Sequence, residues 1–140
     1  MADLSFLYKP GGPFEGVNRE TPTDIRHQLA GDGWHPLPLY PNKKRPSING
    51  WEEYCDRPPT EDEIDRWPAN GGTGIACGTV VGIDIDILDA AEVAEVKQAA
   101  QRHFGYTPLV RVGRAPKILL VYRAAERMSK IKRYVASGHV

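Results

Sequence analysis

Cysteine is scarce in this 140-residue chain. Cys55 and Cys77 sit in unrelated contexts, with neither a C-x-x-C pair nor zinc-ligand spacing. That excludes a disulfide scaffold or a zinc module and predicts free thiols in a reducing, cytoplasmic compartment. Long apolar runs are missing too. The longest, ILLVY at residues 118–122, is far too short to cross a bilayer, so no membrane partner is expected. The N-terminal MADLSFLYKPGG has no basic start and no long apolar stretch, which argues against a secretory signal. The four histidines, at 27, 35, 103 and 139, are scattered and form no ligand motif. Neither G-x-x-x-x-G-K-[S/T] nor G-x-G-x-x-G occurs, which excludes a Walker-type loop and leaves a dinucleotide fold unsupported. Repeats and low-complexity tracts are absent as well.

Acidic residues nearly vanish from the last third. Residues 97–140 hold 10 Lys and Arg against Glu126 alone, a net charge of +9, while residues 1–96 hold 8 against 17, a net charge of −9. So basic a segment suggests a phosphate-bearing partner, the alternative being that the two halves pair within the fold.

What is present suits one globular domain. Residues 1–20 are rich in Gly and Pro and are expected to be a flexible segment, with the domain proper at 21–140. TPTDIRHQLAGDGW predicts a helix, with Pro22 in its first turn and Gly31 or Gly33 as its stop. WHPLPLYP is extended, and its prolines make it an edge strand. In PPTEDEIDRWP, Thr60 and Glu63 form a capping box, Ile64 and Trp67 share a face, and Pro68 ends the helix. NGGTGIACGTVVGIDIDI reads as two strands joined tightly near Gly78-Thr79. Asp89 caps a helix whose Val93, Val96, Ala100 and Phe104 line one side and which Gly105 closes. TPLVRVGRAPKILLVYR is a second hairpin around GRAP, and the basic ERMSKIKRYVASGHV that follows has no clear ending signal. Helices packed on a mostly antiparallel sheet make an α+β fold.

The chemistry concentrates in GIDIDI. Side chains on a strand alternate faces, so Val81, Ile83, Ile85 and Ile87 point into a core while Gly82, Asp84 and Asp86 point the other way. The two aspartate Cα atoms then lie roughly 6.5–7 Å apart on one face. A carboxylate in so apolar a strand needs solvent, a basic neighbour or a metal ion to compensate it. Hard oxygen ligands at this spacing suit Mg²⁺ or Mn²⁺, as in two-metal nucleotidyl transfer, where the ions sit about 3.5–4 Å apart. The alternative is a strand with one solvated face. The next hairpin supplies cations: Arg111, Arg114 and Lys117 surround a Gly-containing loop and make a candidate triphosphate clamp, against the alternative of a solvated basic hairpin. Lys43, Lys44 and Arg45 form a third basic patch, a candidate nucleic-acid contact, near a Trp51 that is best read as a core anchor.

In this order the pieces resemble the N-terminal domain of bifunctional DNA primase/polymerases, the prim-pol branch of the archaeo-eukaryotic primases. They are Gly33-Trp34 before an apolar-proline strand, Lys44-x-Pro46 with Gly50-Trp51, the helix ending at Trp67, GTGIACG, then DID, then RVGRAPKILLVYR. The resemblance covers about Ile25 to Tyr134. It implies nucleotidyl transfer from nucleoside triphosphates on a DNA template, with Asp84 and Asp86 as catalytic metal ligands. Lys117 stands where the family usually has a phosphate-contacting histidine. The family also places a third carboxylate on a later strand. After Arg123 only Glu126 remains, so the domain is expected to be incomplete at its C-terminus: a truncated product, a phage or mobile-element remnant, or a fragment. A replicative helicase or another chain completing the site would then be a partner. The alternative is a non-catalytic nucleotide- or nucleic-acid-binding derivative of the same fold.

Overall fold

Short-range caps build the first helix. Thr21 Oγ1 accepts from the Asp24 amide at 3.2 Å, and Asp24 Oδ2 accepts from the Thr21 amide at 2.9 Å. With Pro22 at the first position, α1 runs Pro22–Gly31. Gly33, at φ +80°, lets the chain reverse so that the Trp34 amide reaches the Leu29 carbonyl at 2.9 Å. The computed structural model describes residues 20–140, so all but Glu20 of the segment expected to be flexible lies outside the described residues. The chain divides into two compact units, one ending at Val80 and the other beginning at Val81.

In the first unit, β1 (Pro36–Pro38) pairs antiparallel with β2 (Thr73–Ile75). The ladder continues through odd-numbered residues: the His35 carbonyl accepts from the Ala76 amide, and the Leu39 amide donates to the Gly72 carbonyl. Pro36 and Pro38 therefore fall where no amide is required of them, which is why a proline-rich segment can be a strand. The core gathers Leu37, Tyr54, Cys55 and Ala76, with Ile48, Trp51 and Trp67 packed against it. Tyr54 and Cys55 come from a 3₁₀ turn, Trp51–Cys55. Ile64, fully buried, comes from α2 (Glu61–Arg66), whose capping box joins Thr60 to Glu63 as expected. Arg26 is also fully buried. It donates to Thr73 Oγ1 and to the Pro68 and Gly72 carbonyls at 3.2, 2.7 and 3.1 Å, so the guanidinium binds the approach to β2 against α1.

The second unit carries a five-stranded sheet in the order β4-β5-β3-β7-β6. Its strands are β3 (Val80–Ile87), β4 (Val110–Val112), β5 (Ile118–Arg123), β6 (Tyr134–Val135) and β7 (Gly138–His139). The pairs β4–β5, β3–β7 and β6–β7 are antiparallel. Asp89 caps α3 (Ala90–Phe104) by accepting from the Ala91 and Glu92 amides at 2.9 and 3.0 Å. Ile85, Ile87, Ile118 and Leu120 of the sheet pack with Val93 and Ala100 of this helix. The architecture is thus α+β with antiparallel pairing, and among the described residues no helix is long and apolar enough to cross a membrane.

Two expectations change, and the basic tail, to which no element was assigned, gains two short strands. The strands flanking Gly78-Thr79 do not form a hairpin: β2 pairs with β1, while β3 lies between β5 and β7. The bend is held instead by the 3₁₀ turn, where the Cys55 carbonyl accepts from the Thr79 amide at 3.1 Å. A Cβ on Gly78 would stand 2.3 Å from that same oxygen, so only glycine permits the approach. Phe104 does not line the core. It is 64% exposed, its ring 5.7 Å from that of Tyr122 at the helix end. In the tail, Tyr134–Val135 and Gly138–His139 fold back on each other and pair with β3, with Gly138 lying so close to the Asp86 carbonyl that a Cβ would come within 2.1 Å of its oxygen.

Candidate functional site

The alternation along β3 settles where its carboxylates go. Ile85 and Ile87 are fully buried beneath α3, and Asp84 and Asp86 project from the opposite face. The β4–β5 register sets Arg111 across from Leu119, and Leu119 lies against Gly82, its Cδ1 3.0 Å from where a Cβ there would stand. Arg111, Lys117 and Leu119 therefore share the face of Gly82, Asp84 and Asp86. The loop between β4 and β5 preserves this order.

The two aspartates have different surroundings. Asp84 is exposed and has no hydrogen-bond or ion-pair partner among the described residues. Asp86 has a basic side chain at each oxygen: Lys117 Nζ lies 2.5 Å from Oδ1 and His139 Nε2 3.5 Å from Oδ2. The Lys117 ammonium holds the Asp86 carboxyl below the usual carboxylate range; partial burial opposes this, and His139 and Lys132 reinforce it. Solvent thus compensates one carboxylate and the Lys117 ammonium chiefly the other.

His139 escaped sequence reasoning because nothing near it in the chain marks it. Its place comes from pairing, Asp86 lying opposite His139 across β3–β7. The ring is in turn 6.0 Å from that of Tyr134, over which Lys132 Nζ sits at 5.1 Å. The hairpin is tied to α3 by the Ser137 hydroxyl, which donates to Glu92.

Arg111 is half-buried, and its Nε is shielded from solvent without a hydrogen-bond partner among the described residues. Its guanidinium lies over Gly113, with Nη2 3.6 Å from where a Cβ there would stand. Arg114 is exposed at the loop, where its carbonyl accepts from the Lys117 amide at 3.1 Å. The basic patch Lys43, Lys44 and Arg45 belongs to the first unit. Its aromatic companion is Tyr40 rather than Trp51: Lys43 Nζ and Arg45 Cζ lie 5.9 and 6.0 Å from the Tyr40 ring centre, whereas Trp51 packs on the core. The Tyr40 amide donates to the Arg45 carbonyl at 3.0 Å and closes this loop.

For a metal, two hard carboxylate oxygen donors lie on one strand face, the Asp84 carboxylate open to solvent and a glycine beside it, which fits a divalent cation. Among the described residues no group of three or more His, Cys, Asp or Glu is arranged to hold one.

The family model for the bifunctional DNA primase/polymerase N-terminal domain matches residues 26–135. The chain belongs to that family. The matched span of this primase/polymerase-type domain includes Asp84, Asp86, Arg111, Arg114, Lys117 and the 43–45 patch, and it stops before His139. No curated protein and no solved structure matches the chain.

Proposed function

We propose that residues 21–140 act as a primase-polymerase-type nucleotidyltransferase domain, transferring nucleotides from nucleoside triphosphates along a DNA template. The observation that carries this reading is the family match joined to two same-face carboxylates beside a basic hairpin. Asp84 and Asp86 would hold Mg²⁺ or Mn²⁺. When bound, such an ion supplies Lewis-acid stabilisation of the charge that develops at phosphorus. Lys117, Arg114 and Arg111 receive the triphosphate: Lys117 as a mobile point charge in place of the family's histidine, the arginines as planar donors. In the reaction a 3′-hydroxyl oxygen bonds to the α-phosphorus as the bond to pyrophosphate breaks, and the hydroxyl proton passes to solvent. The cationic hairpin favours the departing negative charge. Lys43, Lys44 and Arg45 contact the template backbone, and the half-exposed Tyr40 ring offers a base a stacking surface.

A primer-synthesis assay with labelled triphosphates and Mn²⁺ tests the reading. Product from the wild type and a loss of at least about 100-fold in Asp84→Ala and Asp86→Ala are expected, the scale on which removal of catalytic groups acts. Wild-type activity in both variants would overturn it.

A second reading has its own support. Asp86 already has a cationic partner in Lys117, and no third carboxylate joins the pair among the described residues. A nucleotide- or nucleic-acid-binding derivative without catalysis would give triphosphate binding and no product in that assay. A replicative helicase or a second chain supplying the missing group belongs to this reading as a partner.

A further inference from the structure

We infer that Lys117 is a displaceable latch on Asp86, so that triphosphate and divalent metal bind to this site cooperatively. The inference rests on the reading of Asp84 and Asp86 as metal ligands and deepens it. With Lys117 Nζ 2.5 Å from Oδ1, the ammonium holds the charge position that a cation on that oxygen would take. A metal ion approaching Asp86 meets a like charge at contact distance, while at Asp84 it meets a carboxylate without a partner among the described residues.

The latch is weak enough to open. Both side chains are about one-third exposed, 36% and 34%, so solvent screens the pair. The contact is a single one, from a flexible stem that can swing, unlike a bidentate arginine. A triphosphate carries several negative charges and outcompetes one carboxylate for the ammonium. Its natural seat is the same hairpin, where the shielded Nε of Arg111 lacks a partner among the described residues and Arg114 is exposed. Once Lys117 turns to phosphate, Oδ1 of Asp86 becomes free for the metal. His139, at 3.5 Å from Oδ2, keeps the carboxylate oriented meanwhile. Each ligand therefore favours the other, and by linkage the coupling is reciprocal. In the absence of nucleotide the site resists metal.

The two ligands are tested separately, so that metal–phosphate complexes do not intrude. With the full chain and Mn²⁺ alone, free ion is followed by electron paramagnetic resonance. Lys117→Met is expected to bind Mn²⁺ about 3- to 10-fold more tightly than the wild type, the scale of one screened contact charge. With inorganic tripolyphosphate alone in chelator, calorimetry is expected to show tighter binding by Asp86→Asn, whose lysine is released, and weaker binding by Lys117→Met. If Lys117→Met leaves Mn²⁺ affinity unchanged or weaker while Asp84→Asn and Asp86→Asn reduce it, the latch is overturned and the metal site stands. If Asp84→Asn and Asp86→Asn both leave Mn²⁺ binding intact, the metal reading itself fails and the latch with it.

Discussion

Each unit contains an ion pair whose geometry can be set against the other's: Arg57–Glu63 in the first and Lys117–Asp86 in the second. In the first unit, Arg57 meets Glu63 through two parallel bonds of 2.8 and 2.7 Å and also reaches Glu53 at 3.1 Å. Its guanidinium lies 4.8 Å from the centre of the Tyr54 ring, which is itself edge-on to Trp67 at 5.3 Å. Glu63 serves at the same time as the third residue of the α2 capping box. Arg57, together with the Thr60 cap, lowers its pKa to about 2. In the second unit, Lys117 and Asp86 share one contact, beside an Asp84 with no partner among the described residues. A pair fixed by several geometric demands at once stabilises a fold. A pair with one demand can be exchanged for a ligand.

The contrast can be broken or sharpened by experiment. The largest stability effect is expected from Gly138→Ala, because the new Cβ would meet backbone, the Asp86 carbonyl oxygen at 2.1 Å. A loss of about 2–3 kcal/mol in urea unfolding is expected, the range for a change that forces packed backbone apart. It also removes His139 from Asp86, leaving Lys117 as the sole brace. No change in stability would mean that the C-terminal hairpin holds little of the second unit together.

Next comes Glu63→Ala, which removes the bidentate partner of Arg57 and half of the capping box. A cost of about 1–2 kcal/mol is expected after allowing for the solvent exposure of Arg57. Because the Glu63 pKa is depressed in the fold, its contribution is full above the unfolded value of 4.5 and is lost as pH falls toward about 2. Lys117→Met, by contrast, should leave the melting temperature where it was. Equal shifts in the two variants would erase the distinction drawn between the pairs.

The smallest effect concerns His35, buried with Nδ1 2.7 Å from the Tyr54 carbonyl. Burial pushes its pKa below the ordinary 6.5, although the hydrogen bond opposes that. The unfolded chain therefore takes up the proton first. Stability should be level above pH 6.5 and decline as pH falls below it toward the folded value. His35→Gln should flatten that part of a urea-midpoint profile; an unchanged slope would assign it to other groups.

The elements with short-range causes were legible in the sequence. The start of α1 at Pro22, the capping box at Thr60, the Asp89 cap and the β4–β5 hairpin each depend on residues a few positions apart. The common face of Asp84 and Asp86 follows from the period of a strand, whatever the strand pairs with. The partner of β2, the exposure of Phe104 and the place of His139 beside Asp86 were not legible. Each was decided by a neighbour distant in sequence, such as the Cys55 carbonyl that captures Thr79.

Sequence alone therefore determined which carboxylates stand together and that a cationic hairpin follows them, because backbone periodicity and local capping act within a few residues. Tertiary structure decided which cation Asp86 meets and brought His139 to its other oxygen. Those choices depend on strand order and register, which arise from burying Ile85 and Ile87 beneath α3 and from the close approach that Gly138 permits.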